Sequence, residues 1–276
     1  MSAPASTVNL VRIVYGAETP PVDDLAENLH EATKLNSSLS ALELRGAALL
    51  ERHEELRRSS MRSVKQADGW NPVELPPPGP LPAELEHVLR SRRSVGRFGS
   101  QALGVEQLAT MLWAAYGVNE PAPADGPPWP DLRTVPSGGA LYPLELYVFA
   151  LDVHGLEPGV YHYDPRRHRL DELRRADLGE TMQRVLTAPE LAESAAAIVA
   201  ITGVFWRSRF KYGLRGYRFT LLEAGHVAQN LLLAGTALEL AACPCGGFFE
   251  RRLDPLLEVD GVEESTLYLV LVGGAP

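Results

Sequence analysis

The sequence predicts a mixed α/β or α+β layer fold, strands alternating with helices, on three observations. Three apolar runs, "LELYVFAL" (144–151), "AAIVAITGVF" (196–205) and "STLYLVLVGG" (265–274), suit buried strands. Two stretches with apolar residues at helical spacing, 105–118 and about 217–240, are interleaved with them. The chain has 276 residues, 45% of them hydrophobic, and no internal repeat, which is enough for one large domain or one domain with an appendage.

In chain order, "SALELRGAALLERHEELRRS" (40–59) carries Leu and Ala near helical spacing with charges between them, and predicts an amphipathic helix in an N-terminal segment. The Pro-rich "VELPPPGPLPAELEHVL" (73–89) favours extended backbone and reads as a linker, so the expected division is an N-terminal extension of residues 1–75 and a main domain of 76–276. A helix should start near Ala83 and end at "RSRRS". "VEQLATMLWAAYGV" is the next helix, and the Pro-rich "EPAPADGPPWPD" (120–131) a long loop able to cover a pocket. The 217–240 stretch is apolar on more than one face, with Gly225 and Gly235 allowing close approach, and predicts a buried helix or one at a subunit interface.

A formal net charge of -9 argues against nucleic acid or an anionic membrane as partner. The N-terminus lacks a signal segment and no stretch approaches the roughly 18 apolar residues of a membrane span, so the expected location is cytoplasmic. Two cysteines, Cys243 and Cys245, make neither a disulfide framework nor a complete zinc site, and no metal is expected. Walker, GxGxxG, HExxH and GxSxG motifs are all missing.

Three short stretches carry chemistry. In "SRRSVGRF", Arg92, Arg93 and Arg97 surround Ser94, which suits either a phosphate or a helix C-terminus complementing its own dipole. In "VPSGGALYP", Pro136, Ser137, Gly138 and Gly139 form a turn whose backbone could approach a planar or anionic ligand. In "LAACPCGGFF", the pair Gly246–Gly247 offers a second such approach. A fourth stretch, "RFKYGLRGYRF" (209–219), concentrates cations and phenols in an acidic chain, as a solvated face or as a site.

Taken in order, "LHEATKL", "RRSVGRF", "PSGGALYPLELYV", "KYGLRGYRFTLLEAGHVAQNLLLAGTALEL" and "LYLVLVGG" resemble the FMN-dependent nitroreductase superfamily, and within it the SagB-type azoline dehydrogenases, over about residues 27–274. The resemblance implies an α+β nitroreductase-like fold, a mixed β-sheet flanked by helices, with FMN at a homodimer interface. It implies that Arg92, Arg93 and Ser94 approach the FMN phosphate and ribityl chain, with Arg97 reaching in beside them. It places Pro136, Ser137, Gly138 and Gly139 along the flavin, and Gly246 and Gly247 in the loop facing flavin N5. The chain departs from relatives at Gly96, often basic, and at Gly246, often acidic.

The resemblance gives Lys211 and Tyr212 acid/base work. Successive residues point about 100° apart on a helix, so the pair is expected on a loop turned by Gly213, at the entrance to the buried helix. Free Lys and Tyr titrate near pH ~10, so either needs desolvation or a neighbouring cation, and Arg209 and Arg215 are placed to supply it. His226, Gln229 and Asn230 read as core, interface or helix-to-helix groups, and Tyr142 as a pocket or packing residue.

The implied activity is FMN-dependent oxidation of peptide thiazolines or oxazolines to azoles in ribosomal peptide biosynthesis, with oxygen reoxidising the flavin. Its implied partners are an azoline-containing precursor peptide, a second copy of the chain and a cyclodehydratase. Alternatives are oxidation of carrier-bound thiazolines, a general NAD(P)H nitroreductase, and a non-catalytic scaffold.

Overall fold

The computed structural model describes residues 13–14, 16, 21–35, 45–56, 65, 69–121 and 131–276. The start of the chain, both ends of the 40–59 stretch and most of the Pro-rich loop 120–131 lie outside them. Along the chain, α1 (Leu25–Ala32) and α2 (Arg45–Arg52) precede β1 (Asn71–Glu74), α3 (Leu85–Ser91), β2 (Leu103–Gly104), α4 (Val105–Tyr116), β3 (Val118–Glu120) and β4 (Leu132–Arg133). Then follow β5 (Leu144–Ala150), β6 (Val153–His154), β7 (Gly159–Asp164), β8 (Arg169–Arg175), α5 (Gly179–Val185), β9 (Ala197–Val204), α6 (Phe205–Tyr212), α7 (Arg215–Ala237), β10 (Leu240–Cys245), α8 (Glu250–Leu253) and β11 (Glu264–Gly274).

The three apolar runs become β5, β9 and β11, side by side in a seven-stranded sheet of order β1-β8-β7-β5-β9-β11-β10. They read as continuous apolar runs because both faces are covered. Along β5, Leu144, Leu146 and Val148 join a core with Leu108, Leu112, Val227 and Leu231 of α4 and α7. Tyr147 and Phe149, pointing the other way, pack with Met182 and Val185 of α5 and Leu253 of α8. The mixed sheet expected from sequence is realised narrowly. Every ladder of the seven strands is antiparallel, and among the described residues parallel pairing is confined to β2 with β6 and to a bridge from Ser94 to Ala242 at the β10 edge.

Three elements differ from the sequence reading. Residues 71–74, which overlap the start of the run read as a linker, pair with β8 as the edge strand β1. "LAACPC" is a strand, and Pro244 is tolerated because β10 is the opposite edge of the sheet. The helix α7 is buried on one side, while Leu221, Leu222, Gly225, His226 and Gln229 stand exposed on the other. Among the described residues, no helix is long and apolar enough to cross a membrane, and no group of three or more His, Cys, Asp or Glu could hold a metal.

A buried polar network crosses the sheet. Glu145 accepts from His162 Nε2 at 2.8 Å, from Arg207 Nη2 at 2.5 Å and from the Lys65 backbone at 2.8 Å. Glu264 accepts from Tyr147 at 2.8 Å, from Thr202 at 2.7 Å and from the Lys65 ammonium at 3.1 Å. Burial pushes the Glu145 carboxyl upward, but Arg207 and then His162 outweigh it and hold the group at about 2, against 4.5 unperturbed. The folded pKa is depressed, so this stabilisation is complete above about pH 4.5 and is lost as pH falls towards 2. It amounts to about 3 kcal/mol. Urea unfolding of wild type between pH 6 and 2 should lose that increment. Glu145→Gln, already lacking it at pH 6, should give a shallower profile; equal slopes would contradict the assignment.

Candidate functional site

The stretch "RFKYGLRGYRF" folds as the end of α6, a break, and the start of α7. Lys211 and Tyr212 are the last two residues of α6, not loop residues as the sequence reading has it. The break is at Gly213, whose φ of 56° and ψ of -139° suit glycine and stop the helix. The helical ending does not separate the pair, because a long lysine side chain can curl back towards its neighbour. Lys211 Nζ lies 5.2 Å from the centre of the Tyr212 ring.

Both groups converge on the Ser137–Gly139 turn. A methyl group on Gly139 would collide with the Tyr212 hydroxyl and stand 2.7 Å from Lys211 Nζ. Beside it, the position of a Cβ on Gly138 is 3.2 Å from the Phe219 ring, and that ring meets Tyr212 edge-on at 5.1 Å. The turn is unusual in backbone as well: Gly139, Ala140 and Tyr142 have φ of 67°, 53° and 46°. Non-glycine residues in this region are strained unless their surroundings hold them. Tyr142 N–H donates to Ser137 Oγ at 2.9 Å, and the Tyr142 hydroxyl accepts from the Arg133 backbone at 3.0 Å. Tyr142 is therefore a packing residue.

Behind the turn lies a carboxylate that sequence reasoning missed. Glu223 of α7 is only 3% exposed, and accepts from the Tyr116 hydroxyl at 2.8 Å and from Ser137. Burial raises its carboxyl to about 7, against the pull of the Ser137 and Tyr116 hydrogen bonds and the Arg133 charge. The Arg133 guanidinium lies over the Tyr116 and Tyr142 rings, 4.1 and 4.7 Å from their centres. The signal was a single acidic residue inside "TLLEAGHVAQNLL", since glutamate is seldom buried without partners. Pro136, Ser137, Gly138, Phe219, Leu222, Glu223 and His226 line a cavity of about 250 Å³.

The arginine cluster stands elsewhere, at the end of α3 beside the β10 edge. Arg92 Nη1 reaches Ser94 Oγ at 3.4 Å, and Ser94 bridges to Ala242. Arg93 turns back, donating to the carbonyls of Arg90 and Arg92 at 2.9 and 2.8 Å, so it satisfies its own helix end. Arg97 is exposed. After β10, the Gly247 carbonyl accepts from Thr187 N–H and Oγ at 2.9 Å each, and a side chain on Gly247 would run into that Thr187 hydroxyl. Gly246 is open, with Tyr268 3.9 Å from its Cβ position. Within the described residues of one chain, no hydrogen bond or ring contact joins these residues to the group around Gly139.

Arg209 and Arg215 do not serve the phenol as the sequence reading has them. Arg209 lies over the Trp206 ring at 4.6 Å, and Arg215 donates to the Thr33 carbonyl at 2.9 Å. Arg218 joins in, bonding the His30 carbonyl at 3.2 Å and the Thr33 hydroxyl. The basic stretch thus holds the end of α1 against α7, while α2 packs on α6. Asn230 donates to the Ala114 carbonyl at 3.0 Å, tying α7 to α4 as a helix-to-helix group.

The chain is 36% identical over 190 residues to a nitroreductase homologue of Methanocaldococcus jannaschii, covering 69% of this chain and 90% of the other. It is 34% identical over 145 residues to the trifolitoxin-processing protein TfxB of Rhizobium leguminosarum bv. trifolii (51% of this chain, 39% of that one). It is 30% identical over 135 residues to the microcin B17-processing protein McbC of Escherichia coli (46% and 49%). A nitroreductase crystal structure from Ralstonia eutropha superposes with a TM-score of 0.61 at 25% identity, over 78% of this chain and 93% of that one. The nitroreductase family pattern runs from residue 89 to 274, through the arginines after α3, the glycine turn, the α6–α7 break and the last strand, and by that match the chain belongs to the nitroreductase family.

Proposed function

We propose that the chain is an FMN-dependent azoline dehydrogenase of the SagB type, oxidising thiazolines or oxazolines of a precursor peptide to azoles. The observation that carries this reading is the convergence of Lys211 Nζ and the Tyr212 hydroxyl on the bare backbone of Gly139. An amine and a phenol brought together where a glycine leaves room for them suit proton transfer beside a flat ring. The similarity to proteins that process trifolitoxin and microcin B17 supports a peptide substrate, and with it a cyclodehydratase partner.

The residues present fit a flavin. Ser137 and Gly138 line the cavity in which a ring could lie, and Arg92 with Ser94 can take a phosphate, since Arg93 is already engaged by its helix end. Arg97, the open backbone at Gly246 and the neighbouring Gly247, whose carbonyl Thr187 holds, complete the proposed set. The cavity of about 250 Å³ is smaller than the roughly 300–1,000 Å³ usual for small-molecule sites. That supports a site finished by a second copy, for which the exposed Leu221 and Leu222 on α7 offer an apolar face.

Oxidising an azoline removes a hydride and a proton, and FMN, when bound, supplies the acceptor for the hydride. The chain's own part is the proton. Tyr212, held edge-on by Phe219, presents its hydroxyl as the base, while the Lys211 ammonium beside the phenol ring steers the peptide. Incubation with an azoline peptide should give a mass loss of about 2 Da per ring, from protein that purifies with a flavin spectrum. Flavin reduction by NAD(P)H with no such loss would point to a general nitroreductase, and colourless protein that takes up no FMN to a scaffold.

A further inference from the structure

We infer that Glu223 is the positioning residue for the Ser137–Tyr142 turn, acting through Ser137 and Tyr116 to fix the backbone that the turn offers to the flavin. The flavin part of this inference rests on the reading above; the turn part does not.

The turn places three residues at positive φ within four positions, two of them not glycine. Such a backbone persists only when its surroundings determine it. Glu223 is where those surroundings meet. Its carboxylate accepts from Ser137, whose Oγ in turn receives Tyr142 N–H at 2.9 Å. It also accepts from the Tyr116 hydroxyl, which receives Leu144 N–H at 3.3 Å. One carboxylate thus secures, through one hydroxyl each, the end of the turn and the first residue of β5. The same side chain lines the cavity with Ser137 and Gly138, so the secured backbone is also the cavity wall.

The arrangement depends on the charge state of Glu223. An ionised carboxylate can accept from both hydroxyls at once. A protonated one carries a donor of its own, and one of the two hydroxyls must turn elsewhere. The groups facing it are Tyr116 from α4, Arg133 from β4, Ser137 and Tyr142 from the turn, and His226 on α7 itself, with Lys211 and Tyr212 of α6 across Gly139. The carboxyl sits at about 7, so both states are populated near neutral pH.

The test uses the whole chain and two readouts. Amide hydrogen exchange is followed at Tyr142 and Leu144 in flavin-free wild type, Glu223→Gln and Tyr116→Phe. Tyr116→Phe breaks the same chain from the other end without changing charge. FMN affinity is measured from pH 5.5 to 8.5 by fluorescence quenching. Both variants should lose protection at Leu144, with Glu223→Gln also losing it at Tyr142, while Val148 in the middle of β5 stays protected. Wild type should bind FMN more tightly as pH rises through about 7. Glu223→Gln should bind roughly tenfold more weakly or worse at pH 8, with a flat profile. Unchanged protection overturns the positioning role, and unchanged affinity and pH profile overturn its link to the flavin. Wild type that takes up no FMN overturns the flavin reading, and the two amides then decide the turn alone.

Discussion

Tyr212→Phe should slow azoline oxidation roughly 10²-fold or more, the usual range for losing a positioned acid or base, while the protein folds and keeps its flavin. The ring that packs against Phe219 is unchanged by the substitution, so the loss is confined to the hydroxyl. Lys211→Ala should slow the same step by less than Tyr212→Phe, because it removes the steering charge and leaves the phenol in place. Single-turnover flavin reduction by an azoline peptide, followed by absorbance, isolates this step. Unchanged rates in both variants would mean that the convergence on Gly139 is packing, and the mechanism would have to be given up.

Gly139→Ala should separate activity from stability. The added methyl meets the far ends of two side chains, the Tyr212 hydroxyl and the Lys211 ammonium, which can swing away. The remaining cost is that of a left-handed alanine, about 1–2 kcal/mol. Turnover should nonetheless fall roughly 10²-fold, since small displacements of a catalytic group cost that much. Gly216→Ala is the counterpart: its methyl would stand 2.6 Å from the carbonyl carbon of Ser208, where α6 crosses α7, and backbone does not swing away. Denaturant titration should find Gly216→Ala the less stable of the two. Wild-type turnover in Gly139→Ala would remove the glycine turn from the site.

The three central strands were legible because both their faces are covered, so their apolar runs have no interruptions to misread. Strand β7, "GVYHYD", escaped notice for the opposite reason: His162 and Asp164 look like surface residues, but are buried with Glu145 and Arg167 as partners. The α6 helix was hidden by its charges. Arg207 spans to Glu145, Arg209 lies on Trp206 and Lys211 points at Gly139, so three cations on two turns serve three different places. Sequence spacing shows that they are close and cannot show that they diverge. Glu223 was visible only as an oddity, because its partners Tyr116 and Ser137 come from distant parts of the chain.

The docking of the N-terminal elements bears on how this chain could be recombined with its relatives. The family pattern starts at residue 89, yet β1 closes the sheet edge at β8, and Lys65 is lodged between Glu145 and Glu264. α1 is likewise fastened by Arg215 and Arg218 to the helix that follows the Lys–Tyr pair. A chimera cut at the family boundary would carry an open β8 edge, the kind of surface that recruits other strands. It would also leave Glu264 without its ammonium. The natural crossover point between such proteins therefore lies upstream of Leu25, so that α1, α2 and Lys65 are inherited together with α6 and α7.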